Sequence, residues 1–471
     1  GVKESSVVSE TITTHEYESK TLAKAFTEIT GITGAADSIL DLGAAAPGRT
    51  LSLTQSVDGV FAGDLQGTTD LIVKGTGMLR YTGAALTLPG VDTPAPNTPT
   101  TVTVLGGGLG LDVGNLKAVN LAVDGTRLAR LGVMVGTGVD ASYAGVVTGN
   151  PGAAELVKLG AGTLDLTAAA ILAGSTLADP VFGSYVVKEG TLRVTLDASS
   201  KILPYLGESR PLRLDGGTLA VEVAATGGAL QSAQPAFIPT ILSGTAGQAT
   251  VTVNNAASFV VGQRVSALGI PSGTTITAVD PITNTLTLSQ TITRSFVQLE
   301  STRLGLGGLD VTTSVAGTPT LNVSGDIAGE LNVQGGTNLQ LGTAVTTPLS
   351  IFGNVSITAG STLSGSAMIR GDLFVGAGAS LAPGYSPGTQ VVAGNFTLAG
   401  NSVMEVTGTP SGTAPNQLFN DSVQFSGVAN LNGGSLVIAR WNAPSTTAAP
   451  DFGLRFVLFR DTSVDGKPTV A

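Results

Sequence analysis

The sequence predicts an all-β solenoid: short strands stacked coil upon coil, with a small antiparallel β module inserted and a strand-plus-helix extension at the N-terminus. Three observations predict it. The 471 residues include 65 glycines, while only 4% are aromatic and 12% charged, a balance that suits many short strands and tight turns better than a compact helical core. Apolar residues alternate over three to five positions and are then cut off by glycine. These brief strands also recur as degenerate repeats, which signals a solenoid or an array.

Residues 1–45 differ from the rest of the chain. Ten charged residues lie between Lys3 and Asp41, about double the density of the whole chain. SSVVSETITTHEY alternates as a strand does, with Val8 and Ile12 on one face. Val7, Val8, Ile12 and Tyr17 are the candidate for a strand that links subunits. SKTLAKAFTEITG then sets Leu22, Phe26 and Ile29 at helical spacing with Gly31 as a C-cap, which predicts a short helix packing through those three residues.

From 46 to 238 the chain reads as solenoid. IVKGTGMLRYTG (72–83) resembles LVKLGAGTLDLTA (156–168), and VVKEGTLRVTLD (186–197) shares a G-T-L-x-V core with LRLDGGTLAVEV (212–223). Residues 239–302 interrupt the pattern. VGQRV, TTITAV and TLTLS are better alternating strands, separated by turns at Pro271-Ser272-Gly273 and at 281–284. The solenoid pattern resumes over 303–440. GNVSITAGSTLSG, GDLFVGAGASLAP and GNFTLAGNSVMEV start at 353, 371 and 394 and share G-[N/D] followed by alternating apolar positions. A strand this short buries nothing alone; stacking successive units in register gives each one its core. Residues 441–471, with Trp441, Phe452, Phe456 and Phe459, are the candidate C-terminal cap.

Several chemistries lose their residues. The chain has no cysteine, so disulfides and thiolate metal sites are excluded. His15 is the only histidine and lies in the N-terminal extension, which leaves a Ser-His-Asp set or a histidine metal site without support. Asp165, Glu189, Asp197, Asp215 and Glu222 are scattered rather than paired as glycoside hydrolysis requires. GGGLGLDVG and LGLGGLD are not in tandem, as calcium-binding repeats would be, and read as glycine turns. Asn322, Asn354 and Asn395 begin glycosylation triplets, but each also follows a turn, where asparagine is favoured. A net charge of −10 disfavours nucleic acid. No 18-residue run is apolar enough for a membrane-spanning helix. The expectation is no catalytic residue, no cofactor and no metal. Residues 1–24 hold no apolar centre of the length a secretory leader needs, so a leader is expected to have been removed already.

The segment VKLGAGTLDLTAAAILAGSTLADPVFGSYVVKEGTLRV (157–194) resembles the autotransporter-associated β-strand repeat, and LAPGYSPGTQVVAGNFTLAGNSVMEVTG (381–408) is similar to an element near the end of such passengers. The module at 239–302 looks like a small one common in phage structural and bacterial surface proteins. The likeness covers about half the chain; TAAAILAGSTLADPVFG stands where the family usually has T-G-x-N-T-Y-T-G, and no run after Trp441 has the alternating strands of a membrane barrel. The resemblance implies a right-handed parallel β-helix exported to a bacterial surface. The expected function is a non-enzymatic extracellular fibre, filament or adhesive scaffold whose partner is itself, or a host or neighbouring cell surface. The alternatives are a polysaccharide-degrading β-helix enzyme and a phage fibre or decoration protein.

Overall fold

A computed structural model gives the structure. It describes residues 12–14, 20–21, 28–34, 36, 39–41, 50–66, 70–83, 86–87, 102–112, 118–122, 129–142, 146–149, 154–166, 184–196, 212–223, 228–233, 240–297, 302–313, 319–342, 348–358, 360–384, 388–407, 419–431, 433–442 and 459–461. Among these the only helical stretch is one 3-10 turn, Ala256–Ser258; the rest of the regular structure is β. None of the described helices is long and apolar enough to cross a membrane. The chain divides into two compact units, Gly1–Val186 with Gly190–Leu192, and Val187–Glu189 with Arg193–Ala471.

In the first unit the chain visits parallel ladders in rotation. Ile32–Gly34, Ile39–Asp41 and Thr50–Gln55 each add to a different ladder, and Gly59–Phe61 then returns to the first. The first ladder is re-entered at residues 12, 32, 59, 78, 108, 129 and 154. In-register pairing puts like on like: Leu79, Leu109, Leu131 and Leu156 form one column, each at most 4% exposed. Leu53, Val73 and Val104 form another in the ladder that contains Thr50–Gln55. The lysine of LVKLG has a structural use. Lys158 is fully buried and donates from Nζ to the carbonyls of Leu159 and Gly160, both at 2.7 Å, at a corner where the peptide groups turn away from the ladder.

The helix expected over Leu22, Phe26 and Ile29 is corrected at Ile29. Ile29 lies in a strand, Glu28–Thr30, opposite Leu53 of Thr50–Gln55. Gly31, with φ +75°, is not a helix C-cap but the corner between Glu28–Thr30 and Ile32–Gly34, and its N–H donates to Thr54 O at 2.9 Å. The β-branched run around Gly31 suits a pleated strand, and the next coil supplies the hydrogen bonds a helix would have made internally. Leu22 and Phe26 lie outside the described residues. Ile12 sits in the strand Ile12–Thr14 opposite Ile32, while Val7, Val8 and Tyr17 lie outside them. The strands of 12–41 therefore pair in the same ladders as those of 50–66.

The second unit repeats the scheme. Its first ladder runs through Thr218–Val223, Gly308–Thr312, Glu330–Val333, Val355–Ile357, Leu373–Val375, Phe396–Leu398 and Ala429–Asn430. Leu219, Leu309, Leu331, Val355, Leu373, Phe396 and Ala429 are stacked along it, none more than 1% exposed. The second ladder stacks Leu321, Leu339, Leu363 and Leu381, all fully buried. A third comprises Leu349–Ile351, Ala367–Ile369, Thr389–Val392, Ser422–Phe425 and Phe459–Asp461. Each buried leucine contributes about 1.5–3 kcal/mol relative to exposure, and only because the coil beside it covers it. Two of the four proposed cap residues fall in ladder strands: Trp441 opposite Val406 and Phe459 opposite Val423. Phe452 and Phe456 lie outside the described residues.

The inserted module is antiparallel. Its sheet has the order Ile241–Gly244, Thr250–Val253, Thr285–Leu288, Ile276–Asp280. Its own core includes Ile241, Val251, Val253, Phe259, Ile276 and Leu286. The hairpin turn predicted at 281–284 is present. Asp280 Oδ1 accepts the N–H groups of Ile282 at 2.9 Å and Thr283 at 3.2 Å, and hydrogen bonds from Thr283 and Ile282 hold the fully exposed carboxyl below its ordinary pKa. The module's two ends meet, with Ile241 N–H donating to Thr302 O at 2.8 Å. Across the insertion the ladder is continuous, Thr218–Val223 pairing directly with Gly308–Thr312.

Candidate functional site

Several polar residues of the second unit meet where the module packs against the start of the first ladder. A glycine precedes each strand there: Gly217, Gly307, Gly329, Gly353, Gly371, Gly394 and Gly427 lie in one column. A Cβ on Gly353 would lie 2.7 Å from Gly329 C, and one on Gly427 2.7 Å from Gly394 C, so the coils approach too closely here for any side chain. This is the physical content of the repeated glycine in G-[N/D].

The next column reads Thr218, Gly308, Glu330, Asn354, Asp372, Asn395 and Val428. Its side chains form a ladder of their own. Asn354 Oδ1 accepts the N–H of Asp372 at 2.9 Å, Asp372 Oδ1 that of Asn395 at 2.7 Å, and Asn395 Oδ1 that of Val428 at 3.0 Å. Each side chain satisfies a backbone donor that the corner has turned out of the sheet. The amides of Asn354 and Asn395 are thus engaged within the fold.

The module enters this column from its other side. Asn354 N–H donates to Ser266 Oγ at 3.0 Å and its Nδ2 to Ile270 O at 3.1 Å. Glu330, which stands where the following coils carry Asn or Asp, is fully buried and turned to the module. It forms an ion pair with Arg264 and accepts the Gly273 N–H at 3.1 Å and the Ser272 hydroxyl at 3.1 Å. Arg264 also reaches Asp310 at 3.4 Å, and Asp310 accepts from Asn332 Nδ2 at 2.7 Å. Backbone bonds hold the same loop: Arg264 N–H to Gly216 O at 2.7 Å and Gly307 N–H to Arg264 O at 2.8 Å.

Two glycines make the room. A Cβ on Gly308 would lie 2.8 Å from Arg264 Nη1, and one on Gly216 would lie 2.6 Å from Gln263 Nε2. The guanidinium of the module occupies the space that Gly308 leaves in the side-chain ladder. A buried pair with this many hydrogen bonds fixes one seat for the module, since displacement strands a charge in a dry site.

Burial shifts carboxyl groups of this unit upward. Asp372 is raised by burial, against the hydrogen bonds from Asn395. Asp421 is raised by burial and by Glu405, against the N–H groups of Glu405 and Gly388. Asp215 is raised by burial, against Lys188 and Arg213. A raised folded-state pKa means the folded chain keeps its proton longer than the unfolded chain does. The stability from Asp372 is therefore complete below the unfolded carboxyl value of 3.8 and is lost as pH rises through the higher folded value. Asp372→Asn keeps the Oδ1 acceptor and removes the charge, so it is expected to raise the melting temperature at pH 7 by a few degrees and leave it unchanged at pH 3. A melting temperature at pH 7 below that of the parent would contradict this.

Among the described residues no group of three or more His, Asp and Glu is placed to hold a metal ion. His15 lies outside them. The Arg264–Glu330 seat was not foreseen from the sequence. Its signal was Gly307-Gly308, a double glycine where other coils place Gly-Asn or Gly-Asp, together with the single arginine of VGQRV.

Searches of protein-family models, curated proteins and solved structures found no match to this chain.

Proposed function

We propose that the protein is a non-enzymatic extracellular scaffold that associates with itself end to end, on the surface of a bacterium, as the passengers it resembles are displayed. The observation that carries this is Leu436. It stands over Ser402 in the core column of the second ladder, yet it is 46% exposed, whereas Leu321, Leu339, Leu363 and Leu381 are fully buried. Its strand, Ser435–Asn442, pairs along one side only among the described residues, with Asn401–Thr407. A parallel strand edge that is left unpaired can add another strand. A head-to-tail contact between two different surfaces grows into a filament when its rotation does not close a ring.

Sedimentation velocity and electron microscopy test this. The parent chain is expected to form concentration-dependent elongated assemblies. Leu436→Glu, and separately removal of residues 1–17, should shift them to smaller species. A parent that stays monomeric at every concentration, or variants that assemble as the parent does, would overturn the reading.

A further inference from the structure

Two arginines of the second unit converge on one ring. Arg303 Cζ lies 5.8 Å and Arg370 Cζ 5.5 Å from the centroid of Phe352. Phe352 is 2% exposed, while both arginines are exposed at the surface. They come from different coils. Arg303 closes the root of the module, bridged to Thr240, and Arg370 follows Ala367–Ile369, with its N–H on Ile351 O at 2.8 Å. Both backbones are therefore anchored.

Arg264 shows what an arginine of this fold does when it is structural: it takes two carboxylates, Asp310 and Glu330. Neither Arg303 nor Arg370 has an ion-pair partner among the described residues. In a chain of net charge −10, both arginines are thus left without a carboxylate among the described residues. A guanidinium held over an aromatic face keeps its in-plane N–H donors directed away from the ring. Such donors match the paired oxygens of a carboxylate or sulfate.

We propose that Arg303 and Arg370 form a binding site for the anionic groups of an acidic polysaccharide. The site is independent of the self-association reading. A membrane surface fits less well, because stable attachment to anionic lipid takes a polybasic cluster and two arginines converge here. A nucleic acid backbone is held by many cations in a row, whereas two arginines converge here.

The test measures binding of the full chain to polygalacturonate, dextran sulfate, neutral dextran and phosphatidylglycerol vesicles, at about 0.15 M salt, where surface charges are screened beyond about 8 Å. The parent is expected to bind at least one of the two anionic glycans and neither neutral dextran nor vesicles. Arg303→Ala and Arg370→Ala should each weaken that binding about tenfold, as loss of a charge-assisted pair does. Arg130→Ala, in the other unit, should not. Acidification below the carboxylate range separates the two sources: it releases polygalacturonate and leaves dextran sulfate bound. Melting curves of the double variant, expected to overlie the parent's, separate loss of the site from loss of the fold. Equal binding by a folded double variant, no binding to either anionic glycan, or binding to vesicles instead would each overturn the proposal.

Discussion

Glu330→Ala is expected to destabilise the second unit by about 3–5 kcal/mol, the usual consequence of removing one partner from a buried ion pair. The carboxylate is fully buried, and its loss leaves the Arg264 side chain, itself only 16% exposed, with Asp310 and the Thr218 hydroxyl, each at 3.4 Å. It also strips the acceptor from Gly273 N–H and the Ser272 hydroxyl. Limited proteolysis should then cut within 240–303 before it cuts the ladders, because the module loses its seat while the direct pairing of Thr218–Val223 with Gly308–Thr312 remains. The paired replacement Arg264→Met with Glu330→Leu should be far milder than Glu330→Ala, since it removes both charges together. A Glu330→Ala chain with parental melting and cleavage would show that the pair holds nothing.

Phe396→Ala is expected to destabilise by about 3–5 kcal/mol through the cavity it opens. Phe396 is fully buried between Leu373 and Ala429 in its column, and its ring lies 6.2 Å from that of Phe425 in the third ladder, so it ties two ladders together. In a stack whose coils touch only their neighbours the damage should stay local. Amide exchange should quicken in Leu373–Val375, Phe396–Leu398 and Ser422–Phe425, and remain slow in Thr218–Val223 and Gly308–Thr312. Equal quickening at all five strands would mean that the coils do not behave as a linear array.

The glycine corners, the alternation between them and the antiparallel module were legible because each is written in consecutive residues. The G-[N/D] repeat even marked the two adjacent columns, Gly353, Gly371 and Gly394 beside Asn354, Asp372 and Asn395. The segment around Ile29 misled because Leu22, Phe26 and Ile29 match a helix in local spacing; what decides it is Leu53 on the next coil, which no window of the chain contains. The third ladder was hidden for a related reason. Its strands begin at 349, 367, 389, 422 and 459, intervals too irregular to show as a period. Arg264 and Glu330 are likewise brought together only by the folding of the long segment between them, and Arg303 and Arg370 meet only through Phe352. Long-range charge partners have no periodicity to betray them.

The buried columns require neighbouring coils to lie in register. Because the chain has no cysteine, a pair introduced at outward positions reports on that register without interference. Phe374 stands opposite Ser356 on one side and Thr397 on the other. Strands one coil apart are separated by about 4.8 Å, within the Cα range of a disulfide, while two coils lie near 10 Å. Phe374→Cys with Thr397→Cys should therefore crosslink on mild oxidation, and Ser356→Cys with Thr397→Cys should not. Crosslinking of the second pair but not the first would contradict the stacking from which every other conclusion is drawn.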